Sequence, residues 1–161
     1  MYRCIAWHRA AQFGNLEALE TLWNLAKEVE LDTLFGLLLS QTTDGYTAFQ
    51  LAARNNHVKA LLKMWVWAEE THLNSKVLKK ILRLGKDHDG YSSWHRAAQF
   101  VNLEALEILW TLAKDLELDT HEFLLFQTEE GYTAFQLAAK SNHVGIKELL
   151  LVFGRRSANE S

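Results

Sequence analysis

The stretch GYTAFQLAARNNHV at 45–58 decides how this chain is read, because GYTAFQLAAKSNHV returns at 131–144 with 12 of 14 positions unchanged. Its centre, YTAFQLAA, stands at Tyr46–Ala53 and again, letter for letter, at Tyr132–Ala139, 86 residues further on. A segment that performs chemistry is needed once, so its recurrence marks a scaffold. Working outward, a second word appears: WHRAAQFGNLEALETLWNLAKEVELDT at Trp7–Thr33 and WHRAAQFVNLEALEILWTLAKDLELDT at Trp94–Thr120 agree at 22 of 27 positions. The two words also match each other loosely, each with an aromatic, a polar side chain and an Ala-Ala pair. Four units follow in A-B-A-B order. Their aromatics, Trp7, Phe49, Trp94 and Phe135, lie 42, 45 and 41 residues apart, a period that signals a solenoid or array.

Each unit opens with a short helix whose Ala-Ala pair lets a neighbouring helix approach closely. A turn follows (QFGN, RNNH, QFVN or KSNH), rich in residues that cap helices or tolerate left-handed backbone. The second helix opens at Asn15, His57, Asn102 or His143. Within it Leu16, Leu19, Leu22, Trp23 and Ala26 recur at three- and four-residue steps and so share one face. Leu103, Leu106, Leu109, Trp110 and Ala113 repeat that face, as do Val58, Leu61, Met64, Trp65 and Ala68. Tryptophans on such a stripe are core residues.

Composition narrows the function class. The 161 residues are 48% hydrophobic and 23% charged, the balance of a globular domain with a sizeable core. No apolar run reaches the roughly 18 residues that span a bilayer, and MYRCIAWHRAAQF lacks the pattern of a secretory leader. A single cysteine, Cys4, fits a reducing compartment, so a cytoplasmic or nuclear protein is expected. Net charge is −3, divided as +3 over residues 1–86 and −6 over 87–161, which does not favour nucleic acid. Proline is absent.

GYTAFQLAARNNH and GYTAFQLAAKSNH resemble the ankyrin repeats, whose unit carries a Thr-Pro-Leu-His-x-Ala-Ala box, a Gly-x-Thr lead-in and a Gly-His turn. Gly45 and Gly131, Thr47 and Thr133, Ala52–Ala53 and Ala138–Ala139, and His57 and His143 carry the match. The resemblance implies an all-α solenoid of helix-turn-helix units over residues 1–154, with repeats near 3–41, 42–86, 87–127 and 128–154 and a polar tail at 155–161. Ala48, Ser93 and Ala134 replace the family's proline, but Thr47, Ser92 and Thr133 can still cap the first helix. Gln50 and Gln136 replace its histidine, while His8 and His95 keep it and are expected to be structural. Each unit exceeds the usual 33 residues by 8 to 12. The surplus predicts a short third helix or long loop after each of the first three, capped by Asp32, by Asn74 or Ser75, and by Asp119. Unit one lacks the Gly-Tyr lead-in, has Ile5 at the cap position, and does not show the polar outer face of a terminal repeat. Two expectations stand for that face: further repeats of a longer array, or cover by a partner.

No phosphate loop, HExxH, CxxC or GxSxG is present. His57, His88 and His143 lie in turns of separate units without metal-ligand spacing. Cys4 and His8, one helical turn apart, are the one conceivable thiol–imidazole pair. The expectation is no enzyme, cofactor, metal or small-molecule substrate. What differs between units should bind. In the family the concave face is formed by turn tips and first helices, which maps here onto Tyr46, Tyr91 and Tyr132; onto Gln12, Phe13, Arg54, Asn55, Gln99, Phe100 and Lys140; and onto tip residues Asp44, His88, Asp89, Glu129 and Glu130. Tyr, Arg and exposed Phe anchor protein interfaces; the competing reading makes Phe13 and Phe100 inter-repeat core and the tyrosines braces of the turns. A basic stripe, Lys76, Lys79, Lys80 and Arg83, at helical spacing beside Val77, Leu78, Ile81 and Leu82, is a second candidate surface. The resemblance thus implies a monomeric scaffold, adaptor or inhibitor binding another protein, or a regulatory segment of a larger protein such as a channel or toxin.

Overall fold

The computed structural model describes residues 2–29, 31–71, 75–84, 87–141 and 143–159. Among them the chain forms eleven α-helices: α1 Tyr2–Phe13, α2 Leu16–Lys27, α3 Leu31–Leu39, α4 Ala48–Arg54, α5 Val58–Glu70, α6 Ser75–Lys79, α7 Ser93–Gln99, α8 Leu103–Asp115, α9 Thr120–Leu125, α10 Ala134–Lys140 and α11 Val144–Asn159. A π-helical turn, Lys80–Leu84, continues α6. The first helices stack in a row, α1 on α4, α4 on α7 and α7 on α10. The second helices α2, α5, α8 and α11 form a row behind them. The expected third helices are α3, α6 with its π turn, and α9. The π turn replaces continuous α-helix through Lys80–Leu84, so Lys79 and Lys80 do not belong to one α-helical stripe running to position 83. The side chains of Cys4, Lys76 and Arg83 and the residue Asn74 lie outside the described residues.

The hydroxyl-bearing residues before α4, α7 and α10 start these helices. Thr47 Oγ1 accepts the Gln50 N–H at 3.2 Å while Gln50 Oε1 accepts the Thr47 N–H at 2.7 Å. The same reciprocal box forms at Ser92–His95 and Thr133–Gln136, each cap being worth about 1 kcal/mol. Asp119 caps α9 through the Glu122 N–H at 3.0 Å. Position 32 differs from expectation: it falls inside α3, which begins at Leu31. The segment expected as a tail is also different, because α11 runs on through 155–159.

Two aromatic clusters fill the core, and they are copies. Trp7, Trp23 and Trp67 meet in one, with Trp23 and Trp67 stacked at 5.0 Å and 11°. Trp94, Trp110 and Phe153 meet in the other, with Trp110 and Phe153 stacked at 4.6 Å and 7°, and Phe123 of α9 joins them. Phe153 stands in unit four where Trp67 stands in unit two, so the repetition extends beyond the visible words to shape. Trp23, Trp65 and Trp110 occupy equivalent buried places.

One residue breaks the copy at a cost. The turn between first and second helix needs left-handed backbone, supplied by Gly14 (φ 64°), Asn56 (φ 57°) and Val101 (φ 67°). Val101 is β-branched and strained there by about 1–2 kcal/mol. A Cβ on Gly14 would lie 2.6 Å from His57 Nδ1, and His57 Nε2 donates to the Gln12 carbonyl at 2.9 Å. At the second copy the matching carbonyl of Gln99 is instead approached by Ser141 Oγ at 3.5 Å. Gly14→Val is therefore expected to lose about 2–3 kcal/mol, combining strain with the displaced histidine. Val101→Gly should be neutral or stabilising. Urea titrations of both variants check this, and a Gly14→Val variant within about 0.5 kcal/mol of the parent would contradict it.

Candidate functional site: an aromatic and cationic ladder across the repeat tips

Between units the chain makes tight hairpin tips at 42–46, 87–91 and 128–132. In each the first residue's N–H bonds the tyrosine carbonyl, at 2.8, 3.1 and 2.9 Å. Gly45, Gly90 and Gly131 adopt φ of 82°, 77° and 84°. Gly45 must also lack a side chain, since a Cβ would sit 2.6 Å from the His88 backbone nitrogen of the next tip. The first helices hold the tip segments through one repeated position, His8, Gln50 or His95. His8 Nε2 donates to the Ser40 carbonyl and His95 Nε2 to the Phe126 carbonyl, both at 2.9 Å, while Gln50 Nε2 donates to the Tyr91 carbonyl at 2.8 Å. Gln50 thus ties unit two to the tip of unit three, while the two histidines fasten their own first helices to the segments that lead into the following tips. His8 and His95 are buried.

In the first and third tips a threonine hydroxyl, of Thr42 or Thr128, accepts the tyrosine N–H at 3.1 Å. The middle tip carries Asp87 instead. Its carboxylate accepts the Asp89 and Tyr91 N–H groups at 3.1 and 3.0 Å and the Arg96 Nε–H at 2.6 Å. Arg96 occupies the place of Leu51 and Leu137, and also reaches exposed Asp89 at 3.0 Å and Gln99 Oε1 at 2.9 Å. Burial alone would lower the Arg96 pKa, but the hydrogen bond and charge of Asp87 outweigh it and the net direction is upward. The cation is locked on.

That buried pair organises the surface. The Arg96 guanidinium carbon lies 4.1 Å from the Tyr91 ring centre and 5.0 Å from that of Tyr46. Arg54 lies 5.5 Å from Tyr46 and 4.6 Å from Phe100. Phe100, Arg54, Tyr46, Arg96 and Tyr91 thus alternate ring and cation across units two and three, each contact worth about 0.5–1 kcal/mol where exposed and more where dry. Burial raises the Tyr46 and Tyr91 pKa values above 10.0, so both phenols stay neutral hydrogen-bonding groups at physiological pH. Lys140 pairs separately with Tyr132, its Nζ 3.7 Å from the ring centre. Its pKa is raised, first by a hydrogen bond to the Tyr132 hydroxyl. Beside the ladder, between the tip at 42–46 and α1, runs a groove of about 710 Å³ lined by Ile5, Arg9, Gln12, Asp44, Tyr46 and Arg54 among others.

Of the expected residues, the structure unites Tyr46, Tyr91, Arg54, Phe100, Gln99 and Asp89, with Gln12 and Asp44 on the adjoining groove. Tyr132 and Lys140 form the next rung, and His88, Glu129 and Glu130 are exposed at the tips. Phe13 and Phe100 are exposed rather than core. Asn55 is turned away from this face: its amide donates back to the Leu51 carbonyl of its own helix at 2.8 Å. Lys79 and Lys80 belong to the third-helix segment, outside the ladder. Sequence reasoning missed Asp87 and Arg96. The signal was their joint departure, Asp for Thr and Arg for Leu, within one unit. Among the described residues no group of three His, Cys, Asp or Glu converges as a metal site, and no helix is long and apolar enough to cross a membrane.

A solved structure matches this architecture over 95% of the present chain and 91% of the other, with a TM-score of 0.74 and 19% identity: the yeast ribosomal protein Rps3 in complex with its chaperone Yar1. At that identity the likeness speaks for the fold. No protein-family model and no curated protein matches the chain. This corrects the reading of the repeats as ankyrin: the family scan does not place the chain there. Its units carry a third helical segment and no proline, and what stands is an all-helical repeat solenoid.

Proposed function

We propose that this chain is a non-catalytic binding module that receives a partner protein on the ladder and the adjoining groove. The observation that carries the reading is the Phe100–Arg54–Tyr46–Arg96–Tyr91 alternation, half-exposed and fixed from beneath by the Asp87–Arg96 pair. Aromatic and guanidinium groups already held in one rotamer lose little entropy on docking, which is what lets a rigid repeat surface bind. The likeness to a structure containing a chaperone bound to its protein partner supports a protein ligand. The lone cysteine supports a reducing compartment such as the cytoplasm. The reading assigns the chain no turnover of its own.

Affinity capture from the source cells, comparing the intact chain with a Tyr46, Tyr91, Tyr132→Ala triple variant of matched helical circular dichroism, tests this. The partner's recovery should drop at least about tenfold, equivalent to about 1.4 kcal/mol. Equal recovery by both proteins would place the interface elsewhere.

A further inference from the structure

The A-B-A-B order has a geometric consequence for the two ends. Inside the molecule, the A-type unit three packs on the B-type unit two, α7 on α4 and α8 on α5. At the two ends of the described stack stand an A-type unit one and a B-type unit four; α1 and α2 repeat α7 and α8, and α10 repeats α4, nearly residue for residue, while α11 keeps an apolar face where α5 has one. Burial shows what each end lacks. Phe49 is 3% exposed and its counterpart Phe135 is 40%; Trp65 is 3% and Leu151, in its place, 51%. On the other side Leu112 is 6% exposed and its counterpart Leu25 is 45%. Ala105 and Leu109 are buried, whereas Ala18 and Leu22, at the same positions, are only half-buried. Ala18, Leu22 and Leu25 form a stripe along the outer face of α2 that copies the covered stripe Ala105, Leu109 and Leu112 of α8. The polar contacts are copied as well. Asn102 Nδ2 donates to the Ala53 and Arg54 carbonyls at 2.7 and 2.6 Å. Asn15 is its equivalent, and Ala139 and Lys140 are the equivalents of the two acceptors.

The geometry points to head-to-tail self-association, in which the outer face of unit one of one copy docks on the Phe135–Leu151 face of unit four of another. The occupant is a second copy because the unit-one face, α1 and α2, repeats the α7 and α8 face already seen seated on α4 and α5 at the unit two–unit three junction, and α10 repeats α4. Such an interface is heterologous and extends into open chains unless its rotation closes a ring. It is weaker than the internal junction, since Lys147 stands where unit two has Leu61, so assembly depends on concentration. It takes in the outermost rung, Tyr132 and Lys140, and leaves the Phe100–Arg54–Tyr46–Arg96–Tyr91 ladder free.

Analytical ultracentrifugation of the full chain tests it. The weight-average mass should climb with concentration past that of two copies. Leu25→Glu and Leu151→Glu, each at an exposed position and each checked for parental helicity, should be monomeric alone. Mixed, they should form a one-to-one pair and nothing larger, because each retains the end that the other has lost. The Tyr46, Tyr91→Ala variant, which keeps Tyr132 at the docking end, should still assemble, which separates this surface from the partner-binding face. A parent that stays monomeric throughout, variants that assemble alone, a mixture that fails to pair, or a monomeric tyrosine variant would each overturn the inference.

Discussion

Replacing Asp87 with alanine is expected to destabilise the fold by about 3–5 kcal/mol, the loss typical when one partner of a buried ion pair is removed. Asp87 and Arg96 side chains are 1% and 7% exposed, so the guanidinium left behind keeps only exposed Asp89 and Gln99, and the Asp89 and Tyr91 N–H groups lose their acceptor. Urea unfolding followed by circular dichroism reads the effect as a lower midpoint at unchanged slope. The repeats themselves supply the control. Asp87→Thr with Arg96→Leu rebuilds the middle tip on the pattern of Thr42 with Leu51 and Thr128 with Leu137, and should recover most of the loss, as apolar replacement of buried pairs commonly does. The double variant should nevertheless bind the partner poorly, because the ladder has lost its central cation. An Asp87→Ala loss below about 1 kcal/mol would mean that the pair is not what holds the middle tip.

Trp94→Ala is expected to cost about 3–5 kcal/mol as well, by a different mechanism. Its fully buried ring touches Trp110, Phe123 and Phe153 at 6.3, 4.9 and 6.2 Å, so truncation opens a cavity where two units and a third helix meet. Trp94→Phe separates volume from polarity. The indole N–H of Trp94 has no hydrogen-bond partner among the described residues, and removing an unpaired buried donor returns about 1–3 kcal/mol of desolvation. The phenylalanine variant should thus stay within about 1.5 kcal/mol of the parent. Thermal and urea midpoints of both variants decide it. A Trp94→Ala protein as stable as the Trp94→Phe protein would show that the cluster does not depend on a large ring.

Much of the fold was legible because repetition turns one chain into its own comparison. The caps at Thr47, Ser92 and Thr133, the buried Trp stripe and the third helical segments all follow from local chemistry and spacing. The site was legible in composition but not in arrangement. That Tyr46, Arg54 and Phe100 share a face follows from their positions in the repeat. That Arg96 from the neighbouring unit fills the space between two tyrosines depends on the distance between stacked units, which no single repeat encodes. Arg9 hid the clue, since an arginine at that position in unit one made Arg96 look ordinary. The π turn at Lys80–Leu84 was illegible because its residues suit an α-helix equally well. Val101 was read merely as a variant of Gly14, and only the backbone shows it held in strain.

The near-identity of the two repeated words, Trp7–Thr33 with Trp94–Thr120 and Gly45–Val58 with Gly131–Val144, also bears on how the chain reaches this state. While folding, α4 meets two almost interchangeable candidates for its side, α1 and α7, and a chain shifted by one A-B pair satisfies most of the same contacts. Such slips are characteristic failures of repeat proteins. The halves are told apart chiefly by the second helices of the B-type units, where Leu61, Trp65 and Trp67 of α5 meet Lys147, Leu151 and Phe153 of α11, and further by Gly14 against Val101 and the Asp87–Arg96 pair. Those blemishes in the duplication are what give the polypeptide a single address for each helix, so making the copies perfect would leave the stack able to assemble out of register.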